Sequence, residues 1–334
     1  MSALSRRNIR SFLATVSIVM AACSSTGSDE PLAPGFEIQA GLAPSARVAH
    51  LGTTGGDAEG MAALRAAFVE RNRGYDLELI DPLERLEPSA TARVAFVQRG
   101  EGEGTLSEAG DGASTTSGLA VGDVVFVRAG EELHVAGGIA ALVFHVPLDP
   151  PADLPGFVRP DWDSRITDQP GGCAEETGAY RRILLTWKRE VGPYVYRALN
   201  AHRVRISDSF THYHPVDGGF DEFYLVQMVQ QSARLLTSDQ VARIEDPSSV
   251  SSAQVAGLLR STPLSTGDLV YLPRGTIHRG LGGVLAQIIT VPGFRPGAEV
   301  GVDHHLRAIA ERFGLEGGTL LPFHEAASSR AVVK

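Results

Sequence analysis

The chain has 334 residues, of which 43% are hydrophobic, and carries a formal net charge of −9. This acidic balance argues against a nucleic-acid partner, because phosphate binding requires clustered Lys and Arg. A chain of this length and apolar content can bury two ordinary cores, so two domains are expected.

Residues 1–22 predict a signal peptide. Arg6, Arg7 and Arg10 form a basic start, and the apolar run at 12–22 has about half the length of a bilayer-spanning helix. The small residues before Cys23 and the Ser-rich stretch after it resemble the lipobox of bacterial lipoproteins. The resemblance implies lipidation of Cys23, export, and a membrane anchor made of acyl chains. An ordinary cleaved signal with an incidental cysteine is the alternative.

The residues that follow refine the expected location. Ser24 differs from the inner-membrane retention signal of Gram-negative lipoproteins, so the resemblance implies an outer-membrane anchor that faces the periplasm. The paired arginines partly resemble a twin-arginine signal, which leaves Sec and twin-arginine export both open. Residues 23–46 predict a flexible tether. Once Cys23 is lipidated, Cys173 stands alone and no intramolecular disulfide can form.

Beyond the tether, one helix precedes a series of short strands. Residues 57–72 predict a helix with Met61, Leu64 and Phe68 on one stripe. A Pro-rich linker is expected at 148–178. Short strands separated by turns predict a sandwich or barrel rather than a parallel sheet. The predicted strands are 76–80, 93–98, 121–128, 140–146, 181–187, 203–210, 223–229, 268–272 and 284–291.

The two halves of the chain contain an internal repeat. Residues 122–127 (GDVVFV) correspond to residues 267–272 (GDLVYL), and each copy is followed by a glycine, a histidine and an apolar strand that ends in Val-Pro. A repeat with a period of about 145 residues predicts two domains of one fold. We place the first domain at 47–147 and the second at 179–334.

The second half resembles the cupin superfamily. Gly267, Pro273, Gly275 and His278 match the spacing of the second cupin motif, although Gly282 stands where that motif ends in asparagine. The whole chain resembles a two-barrel bicupin. The resemblance implies an all-β fold of two cupin (jelly-roll) barrels with a few short peripheral helices.

The first cupin motif supplies a candidate metal site. His212 and His214 face the same way on a strand, because side chains alternate with a period of two. Glu222 follows His214 by eight residues, where the family usually has four or five. Together with His278 these residues predict one divalent metal ion. Mixed nitrogen and oxygen ligands suit Fe or Mn, which are favoured, and Zn, Ni or Cu remain open. Asp217 and Asp221 are alternatives to Glu222.

Other polar residues near the motifs are candidates for supporting the metal site. Tyr224, Tyr271, Arg279 and Gln287 are predicted to orient a ligand or hold a histidine in place. Two paired groups, Arg181-Arg182 and Arg203-Arg205, are either solvated faces or carboxylate binders. The segment 231–266 is either a lid over the barrel mouth or a surface excursion.

The first half has no equivalent histidine pair. His134 lies one residue beyond the expected motif position and His145 lies on an apolar strand, so this barrel is predicted to be metal-free. For the whole protein two functions stay open, since cupins include both. One is a metal-dependent enzyme with dioxygenase-like or carboxylate and enediol chemistry on a small molecule. The other is a non-catalytic ligand-binding or storage module of the cell envelope. No catalytic residue is identified beyond the ligands, and homo-oligomerisation is left open.

Overall fold

The structure is a computed structural model that describes residues 38–52, 56–108, 114–170, 180–315 and 321–334. The predicted signal peptide, Cys23 and Cys173 lie outside these ranges. Among the described residues, no helix combines the length with the apolar character that crossing a bilayer would require.

The first half consists of short strands and one helix, as predicted. Helix α1 begins after Asp57, whose side chain accepts a hydrogen bond from the Gly60 N–H, and ends before Asn72. Its bounds confirm the helix predicted at 57–72. The elements are β1 (Gln39–Ala40), β2 (Arg47–His50), α1 (Ala58–Arg71), β3 (Asp76–Ile80), β4 (Arg85–Leu86), β5 (Ala92–Arg99), β6 (Glu101–Glu108), β7 (Ser114–Ala120), β8 (Val124–Val127), β9 (Glu131–Gly137), β10 (Ala140–Val146) and β11 (Phe157–Val158).

Two sheets face each other in this first half. One has the strand order β11-β8-β5-β10-β3 and the other β4-β9-β6-β7. Val97 and Val125 pack with Leu133 between the sheets. The opposite face of the five-stranded sheet carries Phe96 and Phe126, which are buried in a core shared with the second half. Because both faces are covered, these central strands are apolar at almost every position.

The second half follows with longer strands. In chain order its elements are β12 (Arg181–Leu185), β13 (Asn200–Asp208), β14 (His212–Tyr213), β15 (Asp221–Val229), β16 (Arg234–Ser238), α2 (Val241–Glu245), a 3-10 turn (Pro247–Ser249), α3 (Ser252–Val255), β17 (Arg260–Pro263), β18 (Asp268–Leu272), β19 (Ile277–Val291), β20 (Val300–Gly301), α4 (Asp303–Arg312) and a 3-10 turn (Glu325–Ala327).

Strand β19 curls this sheet into a barrel. Its first part pairs with β14 and β16, whereas its later part pairs with β13 and β15. The bend between the two parts lies at Gly282 and Gly283, with φ of +78° and +91°. A Cβ at Gly282 would lie 2.1 Å from the Ser232 carbonyl oxygen. The backbone therefore requires glycine where the cupin motif has asparagine.

The chain is all-β, with curled sheets and a few short helices. This confirms the predicted fold class. The described linker residues contribute to the first barrel, because β11 pairs with β8.

The predicted tether and the predicted start of the first barrel were wrong for residues 38–50. Strand β1 pairs with β17, and β2 pairs with β18, so both belong to the sheet of the second barrel. Ala43, Ala46 and Ala49 are buried there. A short run of small residues has no periodicity of its own. Its order comes from backbone hydrogen bonds to a distant sheet, which composition does not reveal.

Helix α1 and two glutamines join the barrels. Phe68 of α1 lies edge-on to Phe144 of the first barrel and to Phe223 of the second, with ring centroids 5.9 and 5.1 Å away. Gln98 Nε2 donates to the Val226 carbonyl at 2.8 Å, and Gln287 Nε2 donates to the Gly122 carbonyl at 2.7 Å. The barrels thus share one apolar core, with hydrogen bonds between them at its edges.

Candidate metal centre

Three histidines of the second barrel converge on one point. The short strand β14 places His212 directly opposite His278 of β19. His214 lies two residues further along the chain. One nitrogen from each of the three rings lies within 4.8 Å of the other two. All three residues are buried, with exposed fractions of 2%, 2% and 0% in chain order.

Glu222 completes this group from strand β15. Its Oε2 lies 3.7 Å from His214 Nε2, and its Oε1 lies 3.4 Å from His278 Nε2. Only 4% of the residue is exposed. The structure therefore brings together all four residues that the sequence predicted as ligands.

Backbone carbonyls orient the imidazoles. His212 Nδ1 lies 3.1 Å from the Phe210 carbonyl oxygen, and His278 Nδ1 lies 3.1 Å from that of Thr276. A carbonyl can only accept, so each Nδ1 carries a hydrogen and each Nε2 is left to face the site. The buried Nε2 of His214 has no hydrogen-bond partner among the described residues, and that of His278 has only the Glu222 carboxylate, at 3.4 Å. A cation would satisfy these nitrogens, and ligand histidines held by carbonyls are typical of metal sites.

The charge states of the rings also suit a cation. Burial, followed by the neighbouring His278, holds the pKa of His212 and His214 well below the usual histidine value. For His278, burial disfavours the charged form, but the Glu222 carboxylate outweighs it and raises the pKa. Two rings are thus neutral as ligands must be. Metal binding would displace a proton from the third.

The long spacing between His214 and Glu222 is absorbed by a compact loop. Gly218 has φ of +80°, a conformation that other residues resist. The ring of Phe220 packs on His214, with centroids 3.9 Å apart. From the second motif, the Gly275 N–H donates to the His214 carbonyl at 2.8 Å. The two motifs hold each other in place, so the extra residues do not displace Glu222.

Neither alternative carboxylate faces the histidines. Asp217 is exposed at the tip of the loop. Asp221 is fully buried but turned away, and its oxygens accept hydrogen bonds from Tyr271, Arg274 and Asn72. Of the three candidate carboxylates, Glu222 is the one that lies beside the histidines.

Only one of the four predicted supporting residues lies next to the metal ligands. Tyr224 is buried with its ring centroid 6.2 Å from that of His278. Tyr271 donates to Asp221, Arg279 pairs with Asp208 at 2.6 Å, and Gln287 joins the barrels. The prediction was wrong for these three. Tyr271 and Gln287 pair across the sheet with Phe223 and Leu225, which alternate with Glu222 and face the other barrel.

A cavity of about 150 Å³ opens onto two of the ligands. Its walls combine apolar and aromatic side chains with a ring of polar groups. The lining residues are Arg181, Ile183, Leu185, Trp187, Asn200, Ala201, His202, His212, Glu222, Ile288, Thr290, Phe294, Glu299 and Lys334. A ligand in this space would contact any ion held by His212 and Glu222.

Sequence reasoning missed Glu299 of the cavity wall. Burial, with a contribution from Glu222, raises the pKa of Glu299 to about 7. A carboxyl group with this pKa can give or take a proton near neutrality. Glu299 lies outside both motifs. It reaches the site because β20, which follows it directly, pairs with β14. Nothing in the sequence around Glu299 indicates that pairing.

The sequence also could not show which cationic residues reach the cavity. Arg181 lines the cavity, whereas its neighbour Arg182 forms ion pairs with Asp161 and Asp168. Lys334 contributes from the end of the chain. Its carbonyl accepts hydrogen bonds from the N–H groups of Gly297 and Glu299. The strand period explains the divergence of the two arginines, since neighbours in a strand point to opposite faces.

The segment 231–266 is not a lid. Strands β16 and β17 pair with each other, and β16 also pairs with β19. Its short helices pack in a core with α4, around Ile244, Val255 and Leu306. Among the described residues that line the cavity, none belongs to this segment.

Comparisons with known proteins find distant similarity to several solved structures. No family model matches it, and no curated protein matches it. Procruciferin, an 11S globulin from Brassica napus, is 11% identical, with a TM-score of 0.48 over 77% of this chain and 88% of its own. A mutant of oxalate decarboxylase from Bacillus subtilis is 14% identical, with a TM-score of 0.44 over 78% and 80%. Tomato vicilin is 11% identical, with a TM-score of 0.41 over 66% and 75%.

Scores and identities this low decide nothing about chemistry. The fold rests on the strands and their pairing in this chain, and the site rests on its own side chains.

Proposed function

We propose that the second barrel holds one divalent metal ion on His212, His214, Glu222 and His278 and is an enzyme acting on a small molecule. The observation that carries the proposal is the set of three buried imidazoles beside one carboxylate. Two members of this set, His212 and Glu222, line a cavity. Such groups are costly to bury unless a cation satisfies them.

The ligand set narrows the choice of metal. Three nitrogens and one oxygen suit a borderline first-row ion, with Fe or Mn favoured and Zn, Ni or Cu as alternatives. Four protein ligands leave one or two positions of an octahedral ion for a ligand from the cavity. When bound there, the ion would supply Lewis acidity or, for a redox-active metal, access to oxygen chemistry.

Residues of the chain would supply the remaining requirements of catalysis. The Glu299 carboxyl can hold a proton beside the substrate. Leu185 and Ile288 form apolar walls that exclude water from the bound molecule. The cavity volume of about 150 Å³ restricts that molecule to a small one.

Metal analysis tests this proposal. Protein purified without chelators should contain, or take up on titration, about one ion per chain. Changing His278 to asparagine should lower metal affinity at least about 100-fold, since removing a partner that only orients a ligand already costs 10- to 100-fold. His134→Asn is the matched control, because His134 is a half-exposed histidine of the first barrel (51%).

Folded wild-type protein that takes up no ion would refute the metal site, as would a His278→Asn variant that binds normally. Consumption of a small-molecule substrate by the metal-loaded protein would support the enzyme. Tight ligand binding without turnover in screens of carboxylates and enediols would favour the binding module instead.

We also propose that the protein is exported and anchored in the outer membrane, facing the periplasm, through lipid on Cys23. The support is the basic and apolar start of the chain with small residues before the cysteine. In a Gram-negative host, the wild type should fractionate with membranes and Cys23→Ala should be released into the soluble fraction. Cys173→Ala is the control and should stay with membranes. A Cys23→Ala variant that remains processed and membrane-bound would contradict the anchor.

A further inference from the structure

Two residues of the cavity wall carry hydrogen-bond donors that have no partner among the described residues. The Thr290 hydroxyl is buried without a hydrogen bond, and the residue is only 4% exposed. The Trp187 Nε1 is likewise buried and unpartnered. Both residues line the cavity, and Thr290 lies directly across the sheet from Glu222. An indole N–H can only donate, so Trp187 Nε1 is a donor without an acceptor among the described residues.

The charges of the cavity point to an anion. Arg181 and Lys334 bring two cationic groups to its wall, against the carboxylates of Glu222 and Glu299. A divalent ion on Glu222 would leave this lining with a positive excess. Low-dielectric walls strengthen the attraction of that excess for a negative group.

The same cavity also has a substantial apolar surface. The rings of Trp187 and Phe294 lie 4.2 Å apart by their centroids and form one side. Ile183, Leu185 and Ile288 form further parts of the wall. A ligand that fills this space therefore needs an apolar body as well as its charged group.

We propose that the substrate is a small carboxylate anion with an apolar body, whose oxygens accept hydrogen bonds from Trp187 and Thr290. This inference deepens the proposed function and rests on it, since the positive excess includes the metal ion. A carboxylate fits better than a phosphate, because a doubly charged phosphate would lie against apolar walls with too few donors for its oxygens. A neutral amide would leave the positive excess uncompensated.

Ligand titrations distinguish these classes. The chain has two tryptophans, and Trp162 is 72% exposed, so Trp162→Phe leaves Trp187 as the single tryptophan, which can be excited selectively over the tyrosines. In the metal-loaded protein, butyrate and benzoate should produce a saturable change in this fluorescence. Butyramide, benzamide and inorganic phosphate should bind at least about tenfold more weakly, because a hydrogen bond to a charged group exceeds one to a neutral group by that order.

Matched variants test the two donors by calorimetry with benzoate. Thr290→Val and Trp187→Phe keep the shape of each side chain and remove its donor, and each should weaken binding about 10- to 100-fold. Thr186→Val is the control. Its hydroxyl is also buried and unpartnered, but Thr186 is not among the residues that line the cavity. It should bind benzoate like the wild type. Metal content is measured for every variant, so that loss of the ion is separated from loss of the donor.

Several results would overturn the inference. Equal binding of benzoate and benzamide, tighter binding of phosphate, or donor variants that behave like Thr186→Val would each do so. If one of these results is found in protein that holds one metal ion per chain, the carboxylate inference is wrong and the proposed metal site still stands. If the protein binds no ion, the proposed function itself is wrong, and the metal titration detects that case separately.

Discussion

Replacing Asp221 with alanine is expected to lower the free energy of unfolding by about 3–5 kcal/mol, the cost of removing one partner from a buried charged network. Asp221 is 0% exposed. One oxygen accepts from the Arg274 backbone N–H at 2.9 Å and from Arg274 Nε at 2.8 Å, and the other accepts from Asn72 and Tyr271, both at 2.6 Å. Burial, with Asp221 as a further cause, raises the pKa of Tyr271, which keeps its hydroxyl a donor. Denaturant unfolding measures the loss.

The same substitution should also weaken metal binding, because Asp221 holds both motifs in position. It immediately precedes Glu222, and its partner Arg274 belongs to the turn that leads to His278. We expect a 10- to 100-fold lower metal affinity, the usual cost of removing a group that orients ligands. Asp217→Ala is the control, since Asp217 is exposed on the preceding loop. An Asp221→Ala protein with unchanged stability would show that the network contributes nothing.

Replacing Phe68 with alanine is expected to cost about 3–5 kcal/mol, as is typical of a buried phenylalanine. Phe68 is 0% exposed and lies edge-on to Phe144, Phe223 and Tyr271. These partners belong to both barrels. The cavity left by the substitution would therefore weaken the packing between the barrels as well as that of the helix.

Calorimetry of thermal unfolding measures this effect. The wild type should unfold in one transition, because the barrels share a core, and Phe68→Ala should unfold at lower temperature or in two steps. Val69→Ala is the control on the next position of the same helix, where Val69 is 36% exposed, and should change stability by less than about 0.5 kcal/mol. A Phe68→Ala variant that matches this control would refute the shared core.

The sequence was informative wherever a pattern is local. The predicted strands 76–80, 140–146 and 268–272 have the same bounds in the structure. The convergence of His212, His214 and His278 was also predictable, because all three belong to the two motifs, and the pairing of His212 with His278 brings those motifs together. Glu222 was predictable as well, given a loop after His214 that brings the next strand back beside the histidines.

The remaining features depend on contacts between distant segments. Tyr271 and Gln287 were predicted to lie near the metal but face the first barrel instead. The sequence does not show that this face of their strands is covered by another barrel. Glu299, Trp187 and Thr290 belong to no motif and come from separate segments of the chain that line one cavity. The chemistry of the cavity thus depends on strand register, which composition cannot supply.

The N-terminal strands of the second barrel have a consequence for how the protein assembles. Ala43 donates its backbone N–H to Thr237, which lies 194 residues later in the sequence. Strand β2 likewise pairs with β18, which is distant from it in the sequence. Such non-local pairing slows folding. Until it forms, β17 and β18 expose sheet edges to which other chains can add. A proteolytic cut near residue 50 that released β1 and β2 would leave the four candidate metal ligands in place and yet expose the edges of β17 and β18 to other chains.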